Sequence, residues 1–140
     1  IRQFGIRSYL IEAGGDMFAN GVKSNGEAWK VQLGRQVVDL MGALSISGDA
    51  SQYITIGNRR YSHIIDPQSQ RPSNGVLASV SVFAASAMTA DAFATALYAM
   101  GPLNGPEFAQ SHEIAALFLV RDQAWLREVM THDFLARLDG

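Results

Sequence analysis

The sequence predicts an α+β fold, a mostly antiparallel sheet built from hairpins with one buried helix, and three observations carry that prediction. Short strand-like runs recur up to Ala84, and Asn25-Gly26 and Gly57-Asn58 punctuate them as hairpin connections. Consecutive hairpins imply antiparallel pairing, because parallel neighbours need long crossovers. Met88 to Gly101 is rich in Ala, Met and Leu and stops at Gly101-Pro102, so it reads as a single buried helix. Ile114 to Val120 is a continuous apolar run of the kind a central strand uses.

With 140 residues, 48% of them hydrophobic, the chain can build one sizeable core and is one domain or part of one. A formal charge of −2 with mixed signs argues against a nucleic-acid surface, which would show as a basic stripe; small anions need only local donors. The chain has no cysteine, which excludes a disulfide framework, a thiolate zinc site and a cysteine nucleophile. No run approaches transmembrane length. Ile1-Arg2-Gln3-Phe4-Gly5 resembles the last turn of a helix already under way, so the expectation is a fragment with further site residues and any targeting segment upstream.

Tyr9-Leu10-Ile11 has a buried-strand pattern and ends at Ala13-Gly14-Gly15-Asp16, where two glycines allow either a sharp turn or close approach to a ligand. Met17 to Asn20 reads as a second strand, and Lys23-Ser24-Asn25-Gly26 as a hairpin into a third, Trp29 to Leu33. Val37 to Leu40 and Ala43 to Ser47 are further strands separated by Gly42, the latter running into Ser47-Gly48-Asp49. Tyr53 to Ile56 and Arg60 to Ile64 flank Gly57-Asn58. The strand ending in His63-Ile64-Ile65-Asp66-Pro67 is broken by Asp-Pro, and a loop continues to Arg71-Pro72. Leu77 to Ala84 is a strand entering the helix. A short helix is expected over Pro106 to Gln110, a returning strand over Trp125 to Met130 after the turn Arg121-Asp122-Gln123, and a terminal segment from Thr131 to Leu138.

Within the Met88 helix, Asp91 and Thr95 stand four residues apart and so share a face. A carboxylate and a hydroxyl presented together suit a hard cation beside a phosphate. The alternative is local: Asp91 favours the positive end of the helix dipole, and Thr95 bonds to a carbonyl one turn earlier. His63 has a similar choice between a structural role at a strand end and proton transfer.

Four motifs in this order, Ala13-Gly14-Gly15-Asp16, Ser47-Gly48-Asp49, Tyr61-Ser62-His63-Ile64-Ile65-Asp66-Pro67 and Thr89-Ala90-Asp91-Ala92-Phe93-Ala94-Thr95-Ala96-Leu97, resemble the ApbE family of flavin transferases, which have a T-fold-related architecture. Family members move FMN from FAD onto a threonine of an acceptor protein, and are about twice this long. The resemblance implies that residues 1–140 are the C-terminal part of a single transferase domain lacking an N-terminal segment. It implies Asp91 and Thr95 as Mg²⁺ ligands and Gly14, Gly15 and Asp16 as part of the FAD cradle. It also implies that His63, Ile64 and Ile65 line the flavin site, with His63 helping to deprotonate the acceptor hydroxyl. The implied partners are FAD as substrate and an acceptor flavoprotein subunit carrying a threonine, in a membrane redox complex or the periplasm, and the implied location is periplasm or cell envelope.

Three positions depart from the family pattern. Gln68-Ser69-Gln70 replaces the usual Arg-Thr-Gly after Asp-Pro, Ala50 stands where an aromatic often follows Ser-Gly-Asp, and Ala94 replaces a frequent serine beside Thr95. The expected activity is Mg²⁺-dependent FMN transfer with release of AMP. Hydrolysis of FAD to FMN and AMP at the same site is an alternative, and a non-catalytic flavin-binding or partner-binding module is an alternative of another class.

Overall fold

The structure, a computed structural model, describes residues 1–49, 53–73, 75–122 and 125–138; Ala50 and Gln123 lie outside the described residues. Its strands are β1 Tyr9–Ala13, β2 Asp16–Asn20, β3 Lys30–Leu33, β4 Gln36–Asp39, β5 Gly42–Gly48, β6 Tyr53–Ile56, β7 Arg59–Ser62, β8 Ile65–Asp66, β9 Arg71–Pro72, β10 Leu77–Ala84, β11 Ala116–Asp122 and β12 Trp125–Met130. The helices are α1 Ala87–Ser111 and α2 His132–Leu135, preceded at the chain start by a 3-10 turn over Arg2–Phe4. Six strands form one antiparallel sheet in the order β1-β2-β5-β10-β11-β12, and the pairs β3-β4, β6-β7 and β8-β9 are separate ribbons.

Strand alternation sends side chains to two cores. Val80 and Val82 of β10 and Ala116, Phe118 and Val120 of β11 meet Ala94, Leu97 and Tyr98 of α1 on one face. Phe83 and Leu117 point the other way, where Leu33, Val38 and Leu40 of the β3-β4 region and Phe134 of α2 cover them. A register shift between Leu77 and Ser79 changes the parity of β10, which is how Leu77 joins the helix-side core despite its odd spacing from Val80.

The Asn25-Gly26 turn exists, with the Gly26 N–H donating to the Lys23 carbonyl at 2.9 Å, but it does not pair β2 with β3. Both sides of β2 are already occupied, by β1 and β5. β1 is an exposed edge strand rather than a buried one: Leu10 and Ile11 are exposed because no layer among the described residues covers them. The helix continues past its expected end to Ser111. Gly101, at φ 82°, breaks it, and Pro102 then starts a second helical segment that absorbs the expected short helix. Nor is the helix buried all round, since Asp91, Ala92, Thr95 and Ala96 on its outer side are exposed. Arg121 and Asp122 belong to β11 rather than to a turn.

A buried ion pair locks one end of the sheet. Asp49, fully buried just beyond β5, accepts two bonds from the Arg121 guanidinium, at 2.5 Å from Nη2 and 3.1 Å from Nη1. Arg121 Nη1 also donates to the carbonyls of Gly75 (2.7 Å) and Leu77 (2.8 Å), and the Leu77 carbonyl accepts from the Tyr98 hydroxyl of α1 at 3.1 Å. The ends of β5, β10 and β11 and the middle of α1 are thereby tied through one guanidinium. Gly48 fits the same junction because a side chain there would lie 2.5 Å from the Ala78 carbonyl oxygen.

On the other face, the β3-β4 ribbon docks through Glu128 of β12. Its carboxylate accepts from the Arg35 backbone N–H (2.6 Å) and from Gln36 Nε2 (2.8 Å) while only 5% of the side chain is exposed. Burial pushes the Glu128 carboxyl up, but the Gln36 and Arg35 hydrogen bonds and the Arg35 charge outweigh it and hold the group below its ordinary value of 4.5.

Asp49→Ala leaves the Arg121 charge without its buried partner and is expected to cost about 3–5 kcal/mol in urea unfolding. A loss under ~1 kcal/mol would show that the pair is not what holds this junction. Because the folded Glu128 carboxyl ionises more readily than the unfolded one, its contribution is complete above about pH 4.5 and is lost as pH falls through the folded value. Glu128→Ala should therefore lower stability by about 1.5–3 kcal/mol at pH 7 and by progressively less as the pH falls through the folded value. A loss that stays constant through that fall would contradict the assignment.

Candidate active site

The helix begins at an N-cap. Ser86 Oγ accepts from the Thr89 N–H at 3.1 Å, which fixes the first turn. Asp91 is the fifth helical residue, one turn beyond the strongest part of the dipole field, so the helix end gives no sufficient reason for a carboxylate there. Thr95 lies one turn further on the same exposed side. Among the described residues, its hydroxyl bonds across the helix-sheet boundary to Ser47 Oγ at 2.9 Å rather than back along the helix. Both parts of the local alternative for these two residues are thus weakened by where the side chains lie.

Gly14 and Gly15 form the turn between β1 and β2, at φ 64° and 100°, conformations that suit glycine. The Gly15 carbonyl accepts from the Ile46 N–H at 3.2 Å, and a side chain on Gly15 would press on the Ile46 carbonyl at 3.3 Å. Asp16 pairs in register with Ser45. The glycine turn therefore sits against β5 one residue from Ser47. The Ser62–Asp66 segment meets the helix through Ile64. Ile64 is buried among Leu77, Val80, Leu97 and Tyr98, while His63 and Ile65 on either side of it are exposed. Ile64's side chain is a core anchor and not a lining group, so a flavin contact from Ile64 would have to come from its backbone.

Asp66 is turn chemistry, as its position before Pro67 suggests. It accepts from the Gln68 and Ser69 N–H groups at 2.9 and 3.3 Å and from Ser69 Oγ at 2.7 Å. The Ser69 hydroxyl and then the Gln68 N–H hold its carboxyl below the usual carboxylate range. Gln68-Ser69-Gln70 thus closes the turn with its own hydrogen bonds. A cleft of about 710 Å³ runs between this turn and α1, lined by Asp66, Pro67, Gln68, Ala96, Ala99 and Met100 among others; it begins beside Thr95 but is not lined by Asp91, Thr95 or His63. Ala94 is fully buried in the helix-side core.

Among the described residues no group of three or more His, Asp or Glu side chains converges as a closed metal site. Asp91 and Thr95 present two hard oxygen donors on an exposed helix face. That donor set fits Mg²⁺, which keeps several waters and takes one or two protein groups plus substrate phosphates. Sequence reasoning missed two residues that build this region. Ser47 was legible only as part of Ser-Gly-Asp with no role assigned, and Arg121 was hidden in an expected turn because its partner, Asp49, lies far away in sequence.

A family model described as the ApbE family matches residues 1–118. A FAD:protein FMN transferase of Vibrio cholerae is 34% identical over 140 aligned positions, which span 93% of this chain and 42% of that protein. One from Klebsiella pneumoniae is 29% identical over 100% of this chain and 43% of its own. The crystal structure of the apo flavinyl transferase ApbE of Pseudomonas stutzeri superposes with a TM-score of 0.88 at 35% identity, covering 99% of this chain and 46% of that one. The chain therefore spans less than half the length of each of these relatives. With the family model covering most of the chain and the sheet and helix superposing on a solved member, this chain belongs to the ApbE family.

Proposed function

We propose that the protein carrying this chain is a Mg²⁺-dependent FAD:protein FMN transferase that moves FMN onto a threonine hydroxyl of an acceptor protein and releases AMP. The observation that carries this reading is the paired presentation of Asp91 and Thr95 on the open face of α1, with Thr95 bonded to the strand that the glycine turn meets, in a chain whose relatives bear that activity in their names. Asp91 and Thr95 would hold the ion. Bound there, Mg²⁺ would supply charge neutralisation at the pyrophosphate of FAD.

The chain's own residues account for the remaining steps. The Gly14-Gly15 turn, with Asp16 beside it, offers backbone against which a pyrophosphate could lie without meeting a side chain, since the space around Gly14 is open. Ile64 anchors its segment to the helix, so His63 projects from a fixed backbone rather than a free loop. His63 would take the proton from the threonine hydroxyl as that oxygen attacks the phosphorus on the FMN side. The bond from that phosphorus to the bridging oxygen then breaks, and AMP leaves with the oxygen. The sequence resemblance also supports an envelope or periplasmic location, and no helix among the described residues is long and apolar enough to cross a membrane.

The test is incubation of the intact protein with FAD and Mg²⁺, with and without a threonine-bearing acceptor, while following AMP and covalent flavin. Acceptor-dependent AMP release with covalent flavin is expected. AMP release that ignores the acceptor would make the protein a FAD hydrolase, and no AMP under either condition would make it a binding module. Asp91→Ala should reduce AMP release by about 100-fold or more. As the side chain is exposed, the same change should alter unfolding free energy by less than about 0.5 kcal/mol. For His63→Ala, transfer should slow by about 100-fold with FAD affinity largely kept; unchanged rates would leave His63 a structural residue.

A further inference from the structure

Ser47-Gly48-Asp49 is the one motif that the reaction above does not use, and its three residues have separable physical jobs. Asp49 is held by Arg121, and Gly48 admits β10 to within a distance at which a Cβ would collide with the Ala78 carbonyl. Together they fix the end of β5. The residue they fix is Ser47, 9% exposed, whose Oγ lies 2.9 Å from Thr95 Oγ1.

We propose that Ser47 is the positioning residue for the metal-binding hydroxyl, setting the rotamer of Thr95 and accepting its hydrogen bond when the oxygen is bound to a divalent cation. This rests on the metal assignment proposed for Asp91 and Thr95. A helical threonine divides between two χ1 rotamers because its hydroxyl can bond to the preceding turn, and that rotamer would withdraw the oxygen from a ligand on the open face. The Ser47 bond selects against it. A hydroxyl that donates a lone pair to a divalent ion keeps its proton and becomes a stronger hydrogen-bond donor, so it needs an acceptor behind it. Ser47 Oγ is at hydrogen-bond distance and has lone pairs for that purpose. Ser47 touches neither substrate nor ion and acts only through Thr95.

The test is Mn²⁺ titration of the intact, FAD-loaded protein, followed by loss of the free-ion electron paramagnetic resonance signal, in Ser47→Ala, Ser45→Ala and Thr95→Ala. Ser45 is buried on the same side of β5 two residues earlier, so Ser45→Ala removes a hydroxyl of the same strand while leaving the Ser47–Thr95 bond in place. Ser47→Ala is expected to weaken Mn²⁺ binding by about 10-fold or more, as loss of an outer-shell partner does. Ser45→Ala should keep the parent affinity. In turnover, Ser47→Ala should raise the Mg²⁺ concentration for half-maximal rate while leaving the rate at saturating Mg²⁺ near the parent value, a split that general loosening of the fold would not give. Parent-like Mn²⁺ affinity in Ser47→Ala alongside weakened binding in Thr95→Ala would overturn the inference. So would equal weakening in Ser45→Ala and Ser47→Ala. Parent-like affinity in Thr95→Ala would instead remove the metal assignment, and this inference with it.

Discussion

The Asp49–Arg121 pair joins the ends of three strands, β5, β10 and β11, at the end of the sheet where the ordered motifs gather. A fully buried carboxylate is unfavourable by several kcal/mol unless a counter-charge and hydrogen bonds replace the lost water. Here the same guanidinium also satisfies two carbonyls, and one of those carbonyls receives the Tyr98 hydroxyl from the helix. Removing either ion would break the bidentate contact that joins these strand ends, so the pair favours one arrangement of strand ends and helix. Ser47 on β5 and Tyr98 on α1 are both placed by it, and the Ser47–Thr95 bond spans the gap between those two elements.

The consequence is a division of labour between the two sides of α1. Ala90, Ala94, Leu97 and Tyr98 are buried against the sheet and hold the helix still. Asp91 and Thr95 can then stand in solvent without moving relative to β5 and the Ile64 anchor. In the proposed reaction this exposure would be useful, because Mg²⁺ held by Asp91 and Thr95 would still be open to water and phosphate oxygens. The opposite face of the sheet, covered by the β3-β4 ribbon and α2, contributes stability through Glu128 and Phe134 and has no group in the proposed chemistry.

Much of this was legible before any coordinates. The Gly57-Asn58 hairpin, the β5 and β10 strands, the core of the helix and the run entering β11 all follow from periodicity and turn residues, which are local signals. The Asp91–Thr95 pairing is likewise local, since helical spacing alone puts both on one face. The errors share a different cause. Asn25-Gly26 makes its turn, yet whether β2 pairs with β3 depended on β5 filling that edge first, which is a nonlocal competition. Tyr9-Leu10-Ile11 has the composition of a buried strand, but burial requires a covering layer that sequence spacing does not reveal. Gly101 was rightly a stop, while Pro102 could also begin a new helical turn. Ser47 and Arg121 were invisible as site-building residues because their partners, Thr95 and Asp49, are distant in sequence.

The most direct measurement of the central claim is anomalous diffraction from crystals of the intact protein grown with FAD and Mn²⁺. The expected result is a peak about 2.0–2.2 Å from an Asp91 carboxylate oxygen and from Thr95 Oγ1, with the Thr95 hydroxyl still directed at Ser47. A manganese peak bound elsewhere, with Asp91 and Thr95 left in solvent, would contradict it.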